Sequence, residues 1–193
     1  MPDRAVIEAL AVVLPFFGAG ILQTAFLKSA VSERFSRPLD GGGTWRGKRI
    51  LGDNKTLRGF VVLVPATTIF FVVEGYWLTR VVGMEWVGWE LSLIEWGGLG
   101  LAASLGYAFG ELPNSFIKRQ LDIPPGGTHN HPVVRWAFVV WDQLDSIVCS
   151  LLVVSILVPV SLAFWLFCLG IGGILHWGFN GVLWWLGLKE RAA

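Results

Sequence analysis

The chain has 193 residues, 54% of them apolar, with eleven Trp, thirteen Phe and a net charge of +1, and its mean hydropathy is +0.61. Soluble domains carry about 45–50% apolar residues, so the composition excludes an ordinary water-soluble fold and points to an integral membrane protein. The charge total is uninformative in itself, no nucleic-acid partner is expected, and Cys149 and Cys168 lie inside apolar runs, where they read as packing residues and not as a disulfide or metal pair.

In chain order, the sequence predicts an all-α bundle of five transmembrane helices forming a single domain, 1–193, without internal repeat or low-complexity tract. The first span, 5–27, is long enough at about 1.5 Å per residue to cross a hydrocarbon core of about 30 Å. Asp3 and Arg4 precede it and no small-residue cleavage site follows, so it reads as a retained helix and not a removed signal peptide. A polar loop, 28–59, leads to the second span, 60–78. The third, 97–112, is short and rich in Gly, Ala and Ser, which suits close packing against neighbouring helices. A second polar loop, 113–136, precedes the spans 137–160 and 162–188, joined by a tight hairpin near Pro159. Thirteen of the fifteen Lys and Arg residues fall in the two loops and the C-terminal tail, and only Arg4 and Arg80 lie on the other side. That asymmetry puts the loops and the C-terminus in the cytoplasm and the N-terminus and the segment 81–96 outside. The protein is therefore expected in the cell membrane, with its polar loops facing the cytoplasm.

The loop Pro38 to Phe60 holds glycines at 41, 42, 43, 47, 52 and 59 together with Arg46, Lys48, Arg49, Lys55 and Arg58. Glycines let backbone N–H groups approach a ligand, and these cations are the donors used for phosphate oxygens. Asp53, Asn54, Lys55, Thr56 and Arg58 have the inventory of a phosphate loop without Walker spacing. In the second loop, Asn114, Ser115, Lys118 and Arg119 share one face if the helix runs on past Pro113. The pair His129 and His131 lacks a third ligand and reads as a surface loop before a zinc site.

Asp142 and Asp145 are the strongest signal, because a carboxylate at a helix centre costs about 2.5–3.5 kcal/mol on insertion scales and needs a partner or a wet cavity. Their i,i+3 spacing puts both on one face, able to share a hard cation such as Mg²⁺ that also holds substrate phosphates. On an ideal helix Asp142 and Asp145 lie roughly 10 and 15 Å beyond the cytoplasmic boundary, while Asn180 and His176 lie roughly 13 and 20 Å in from Lys189. Asn180 is thereby expected at the site, level with the carboxylates. Glu8 and Glu74 fall near the outer helix ends and read as interfacial. No nucleophile arrangement can be assembled, and phosphoryl or nucleotidyl transfer needs none when metal and cations hold two anionic reactants in line. A non-enzymatic carrier of a phosphate-bearing lipid or anion is the alternative.

The run from Leu39 to Gly59, the run Asn114-Ser-Phe-Ile-Lys-Arg-Gln-Leu-Asp-Ile-Pro-Pro-Gly and the run Asp142-Gln-Leu-Asp-Ser, in this order and over nearly the whole chain, resemble the CDP-archaeol synthase family, CTP transferases related to the phosphatidate cytidylyltransferases. The resemblance implies attack of a lipid phosphate, archaeol-type or phosphatidate-like, on the α-phosphorus of CTP with Mg²⁺, giving a CDP-lipid and pyrophosphate. It further implies that Asp142 and Asp145 hold the metal and that Lys55, Arg58, Lys118 and Arg119 bind triphosphate or lipid phosphate. Asp53, Asn54 and Thr56 would line the nucleotide site, with Asn114 among the substrate-binding residues. Leu57, where the family pattern has Trp, and the loop at His129-Asn130-His131 depart from that pattern. The lipid's tails and the oligomeric state stay open at this point.

Overall fold

The computed structural model describes residues 2–83 and 87–187. Long helices dominate: α1 (Pro2–Leu27), α3 (Leu63–Trp77), α4 (Leu93–Gln120), α5 (Pro132–Leu157) and α6 (Leu162–Trp185), with one short turn of helix, α2 (Arg58–Val61), before α3. Four stretches among the described residues, 4–27, 58–81, 132–157 and 162–185, are long and apolar enough to cross a membrane. The long helix outside that set is α4, whose Gly and Ser content and charged residues Glu95, Glu111, Lys118 and Arg119 dilute its apolar character. The part of the last expected span at 188 and the tail cations Lys189 and Arg191 lie outside the described residues, as do 84–86 of the segment expected outside.

Local sequence explains where the helices start and stop. Pro65 has no N–H to give the carbonyl of Val61, and the chain breaks there between α2 and α3. The second expected span is therefore two helices followed by a π turn at Leu78–Val82. Ser92 and Glu95 form a reciprocal capping box that starts α4. The hydroxyl of Ser161 accepts from the Phe164 N–H at 3.1 Å and starts α6, and α5 has already ended at Leu157, two residues before Pro159.

One expectation needs correction. The segment 113–136 is mostly helix, since α4 continues through Pro113 to Gln120 and α5 begins at Pro132; only 121–131 is a connection. Within the segment expected outside, Val87 and Trp89 are buried in the core. The Trp89 ring lies 5.9 Å from that of Trp96 and 6.1 Å from Phe164, and its indole N–H donates to the Pro159 carbonyl at 3.0 Å.

The core joins small residues of α1 (Ala5, Ala9, Val12) to Phe71 of α3, Leu99 and Ala103 of α4, Leu151 and Val154 of α5 and Phe164 of α6. On the opposite side of α1, Leu10, Leu14, Phe17 and Ile21 recur every three or four residues and are exposed, an apolar stripe of the kind lipid contact requires. α6 exposes Leu166, Ile174, Trp177 and Trp184 in the same way.

Between α1 and α2 the polar loop is built, not slack. A two-stranded hairpin, β1 (Thr44–Trp45) and β2 (Lys48–Arg49), turns at Arg46 and Gly47 with φ of 53° and 77°, the mirror-image turn that matches strand twist. Lys48 ties it to the end of α4, donating to the Gln120 carbonyl at 2.7 Å and to Asp122 at 2.6 Å.

Candidate active site

Close approach of α4 to α5 builds the site. A Cβ on Gly110 would lie 2.7 Å from Cys149 Cβ and 3.0 Å from the Asp145 carbonyl oxygen, so only glycine lets the two backbones meet here. One turn on, Asn114 faces the carboxylates of α5, and its Nδ2 donates to Asp142 Oδ1 at 2.6 Å and to Asp145 Oδ2 at 2.8 Å. A further turn on, Lys118 Nζ reaches both oxygens of Asp142 at 2.5 Å. Asp145 is 3% exposed and also accepts from the Ser146 N–H at 2.7 Å. Lys55 enters from the polar loop to pair with Glu111 at 2.5 Å.

Two polar groups here lack protein partners. Asn114 Oδ1 is buried without a hydrogen bond, and so are Nε and Nη1 of Arg119, a residue 8% exposed. A buried guanidinium with unused donors is unfavourable unless a ligand satisfies it, and phosphate suits its fork. Gly52, at φ 103°, brings the loop against this region; a Cβ there would lie 3.3 Å from Asn54 Oδ1 and 3.7 Å from Arg119 Cδ.

Asp40 holds the loop in this shape. Its side chain is 1% exposed, accepting from Arg49 at 2.8 Å and from the backbone N–H groups of Gly42, Leu51 and Gly52 at 3.1, 2.9 and 3.2 Å. Burial alone would push this carboxyl up, but the Arg49 guanidinium and the three amides outweigh burial and hold it well below the usual carboxylate range.

These elements enclose a cavity of about 440 Å³. Asn54, Lys55, Asn114, Lys118, Arg119, Asp142, Asp145 and Asn180 line it. Asp53, Thr56 and Arg58 are not brought to it. Asp53 is 75% exposed and pairs with Arg49, Thr56 bridges Pro38 through the backbone, and Arg58 pairs with Glu33 at 2.8 Å. Glu111, Gln143, His176 and the turn Pro124–Thr128 line the cavity without having been assigned to it from sequence. Gln143 was legible as a third polar residue between two aspartates, and it accepts from Asn180 Nδ2 at 3.1 Å. Asp40 gave no signal, since its role depends on amides up to twelve residues away. His129 turns its Nδ1 onto the His131 N–H at 3.0 Å, a contact within an exposed loop.

Would the residues suit a metal? The donors are all oxygens, two carboxylates converge on one amide, and the Asn114 carbonyl oxygen at that point has no protein partner. This suits a hard cation that takes its other ligands from water and substrate phosphate. Among the described residues no group of three His, Cys, Asp or Glu side chains forms a complete metal cage.

A second cavity, apolar and about 190 Å³, runs between α1, α3, α5 and α6, past Val12, Phe16, Leu63, Leu151 and Leu175. It shares His176 and Asn180 with the polar cavity.

Apolar helices around a chamber of carboxylates and cations are the design of an intramembrane enzyme working on anionic substrates. The family described as CarS-like, CDP-archaeol synthase, matches residues 6–192. CDP-archaeol synthase of Thermococcus gammatolerans is 35% identical over 155 residues, 80% of this chain and 81% of that protein. That of Pyrococcus horikoshii is 33% identical over 154 residues, 79% and 81% of the two chains. A solved structure described as structural insight into an intramembrane enzyme for archaeal membrane lipids biosynthesis aligns with a TM-score of 0.62 at 23% identity, covering 91% of this chain and 94% of that one, and shares its fold. The chain belongs to the CDP-archaeol synthase family. It is accordingly an enzyme, a CTP-dependent nucleotidyltransferase acting on a lipid phosphate, and not a carrier.

Proposed function

We propose that the enzyme transfers CMP from CTP to an archaeol-type lipid phosphate in a Mg²⁺-dependent reaction at the polar cavity, facing the cytoplasm. An oxygen of the lipid phosphate attacks the α-phosphorus of CTP; the bond from that phosphorus to the β-phosphate's bridging oxygen breaks, and pyrophosphate leaves. The reading rests on one arrangement: Asp142 and Asp145 gathered by Asn114 in a chamber whose wall includes the unsatisfied guanidinium of Arg119. Asp142 and Asp145 would hold Mg²⁺, which supplies charge neutralisation between the reacting phosphates. Arg119 binds triphosphate oxygens through its unused donors. Lys55 and Lys118, paired with Glu111 and Asp142 in this structure, exchange those carboxylates for phosphate as substrate enters. Asn54 borders the nucleotide, and Asn180 orients the acceptor from α6. Asp53, Thr56 and Arg58 serve the loop and not the ligand.

The same reading makes α4 the fifth crossing, with the N-terminus outside and the C-terminus inside the cell membrane. At 28 residues, α4 is about 42 Å long at 1.5 Å per residue, enough to cross a core of about 30 Å and still project Asn114 to Arg119 into the cytoplasmic chamber.

The test uses purified enzyme, labelled CTP and a dialkylglycerol phosphate in detergent or vesicles. CDP-lipid should form only with divalent metal, and Asp142→Ala or Asp145→Ala should abolish it in protein that unfolds normally. Binding of Mn²⁺, followed by electron paramagnetic resonance without turnover, should weaken in the same variants. Undiminished product in EDTA, or near-normal turnover by both variants, would refute the metal-dependent reading.

A further inference from the structure

The polar cavity and the apolar cavity meet at two side chains, His176 and Asn180, the residues of α6 that line both. Any lipid phosphate using the two together must pass its head-to-tail junction between them, because the charged head cannot leave the polar chamber and the chains cannot stay in it. Asn180 is bonded to Gln143. His176 is held differently: the Tyr107 hydroxyl lies 2.6 Å from its Nδ1, and the Phe16 ring packs on Tyr107 with centroids 5.1 Å apart. An imidazole gripped by a phenol, itself wedged by an aromatic ring, is fixed in place at the boundary between water-like and oil-like space. The ring borders both spaces at once.

The cations of the chamber lie elsewhere. Lys118 and Lys55 are engaged along α4 with Asp142 and Glu111, and Arg119 sits where the glycine loop folds over α4, near Gly52 and Pro125. The chamber is thus divided, with the triphosphate donors at the loop end and one imidazole at the end that opens onto the apolar groove.

We propose that His176 binds the acceptor lipid's phosphate at this junction and that Tyr107 is its positioning residue, so that the pair governs use of the lipid and not of CTP. The proposal rests on the reaction proposed above. Substrate affinities separate the two roles. His176→Ala should raise the KM for a dialkylglycerol phosphate by about 10- to 100-fold, the effect of losing a hydrogen bond to a charged group, while the KM for CTP stays within about twofold. His176→Gln, which keeps a donor, should recover part of that loss, and Tyr107→Phe should shift lipid KM in the same direction by a smaller factor. In nanodiscs without CTP, wild-type protein should retain the dialkylglycerol phosphate over the neutral dialkylglycerol, and His176→Ala should lose the preference.

Parallel rises in both KM values, or a fall in kcat and thermal stability with both KM values unchanged, would overturn the proposal and make the pair merely structural. A wild-type enzyme that formed no CDP-lipid from CTP would instead overturn the reaction itself. Wild-type activity with indistinguishable His176 variants would overturn only this assignment.

Discussion

Arg119 separates what a residue does for the protein from what it does for a ligand. Its Nε and Nη1 are buried without partners, so replacing it removes no hydrogen bond that holds the fold through those atoms, whereas a bound triphosphate would lose a forked contact. Arg119→Lys should raise the KM for CTP by about tenfold and leave the thermal midpoint within a degree or two, since a lysine keeps the charge but not the fork. Unchanged KM in both Arg119→Lys and Arg119→Met would dismiss the phosphate role. At this scale the sequence reveals cost more readily than direction. Asp142 and Asp145 stand out because carboxylates within an apolar run need compensation. Lys55 and Arg58, three residues apart in one basic run, look alike on paper; one turns inward to Glu111 and the other outward to Glu33, 25 residues back. Nothing local encodes that difference.

Among the elements, the polar loop is the one whose order hangs on a single group. Asp40 gathers Arg49 and three backbone amides, and its carboxyl is held below its ordinary range despite burial. A depressed folded value means that the carboxylate contributes stability fully above the ordinary pKa of about 3.9 and loses it as pH falls through the folded value. Amide protection factors in 38–57, taken against the intrinsic exchange rate at each pH, should therefore stay high at neutral pH and fall selectively below about pH 4, while the cores of α1 and α5 stay protected. Asp40→Ala should give that acid behaviour at pH 7 and reduce activity, because Asn54 and Lys55 would leave the chamber wall. Loop exchange unaltered by the substitution would show that the hairpin holds itself. The loop's glycines and cations were legible as an anion-handling surface, but its organiser was not: an Asp in a Gly-rich run reads as a turn residue, and two of the three amides it collects come from the far side of the hairpin.

For the whole molecule, composition and hydropathy suffice to announce a membrane bundle and most of its helices, because each apolar run must find lipid or another helix. They do not reveal how far a helix continues into water. Pro113 reads as a stop signal, yet α4 runs through it to Gln120, and this continuation carries Asn114, Lys118 and Arg119 into the chamber. Bundle geometry enters chemistry through the α4–α5 contact. At Gly106 a Cβ would lie 2.9 Å from Val153 Cγ2, and at Gly110 it would lie 3.0 Å from both the Asp145 carbonyl oxygen and Ser146 Cα. The two neighbours of Gly110 are backbone atoms that cannot rotate away, so Gly110→Ala must push the helices apart one turn before Asn114 meets the aspartates. Overpacking of this kind costs about 1–3 kcal/mol, and misplacing catalytic groups by about 1 Å can cost 10²-fold in rate. Gly170→Ala is the control, because nothing lies within 4 Å of a Cβ at that position. In detergent, Gly110→Ala should lower the thermal midpoint and reduce activity per folded molecule by at least about tenfold, and Gly170→Ala should change neither. Full activity in Gly110→Ala would mean that Asn114 and the two aspartates tolerate a looser bundle, and that the glycine contact serves assembly alone.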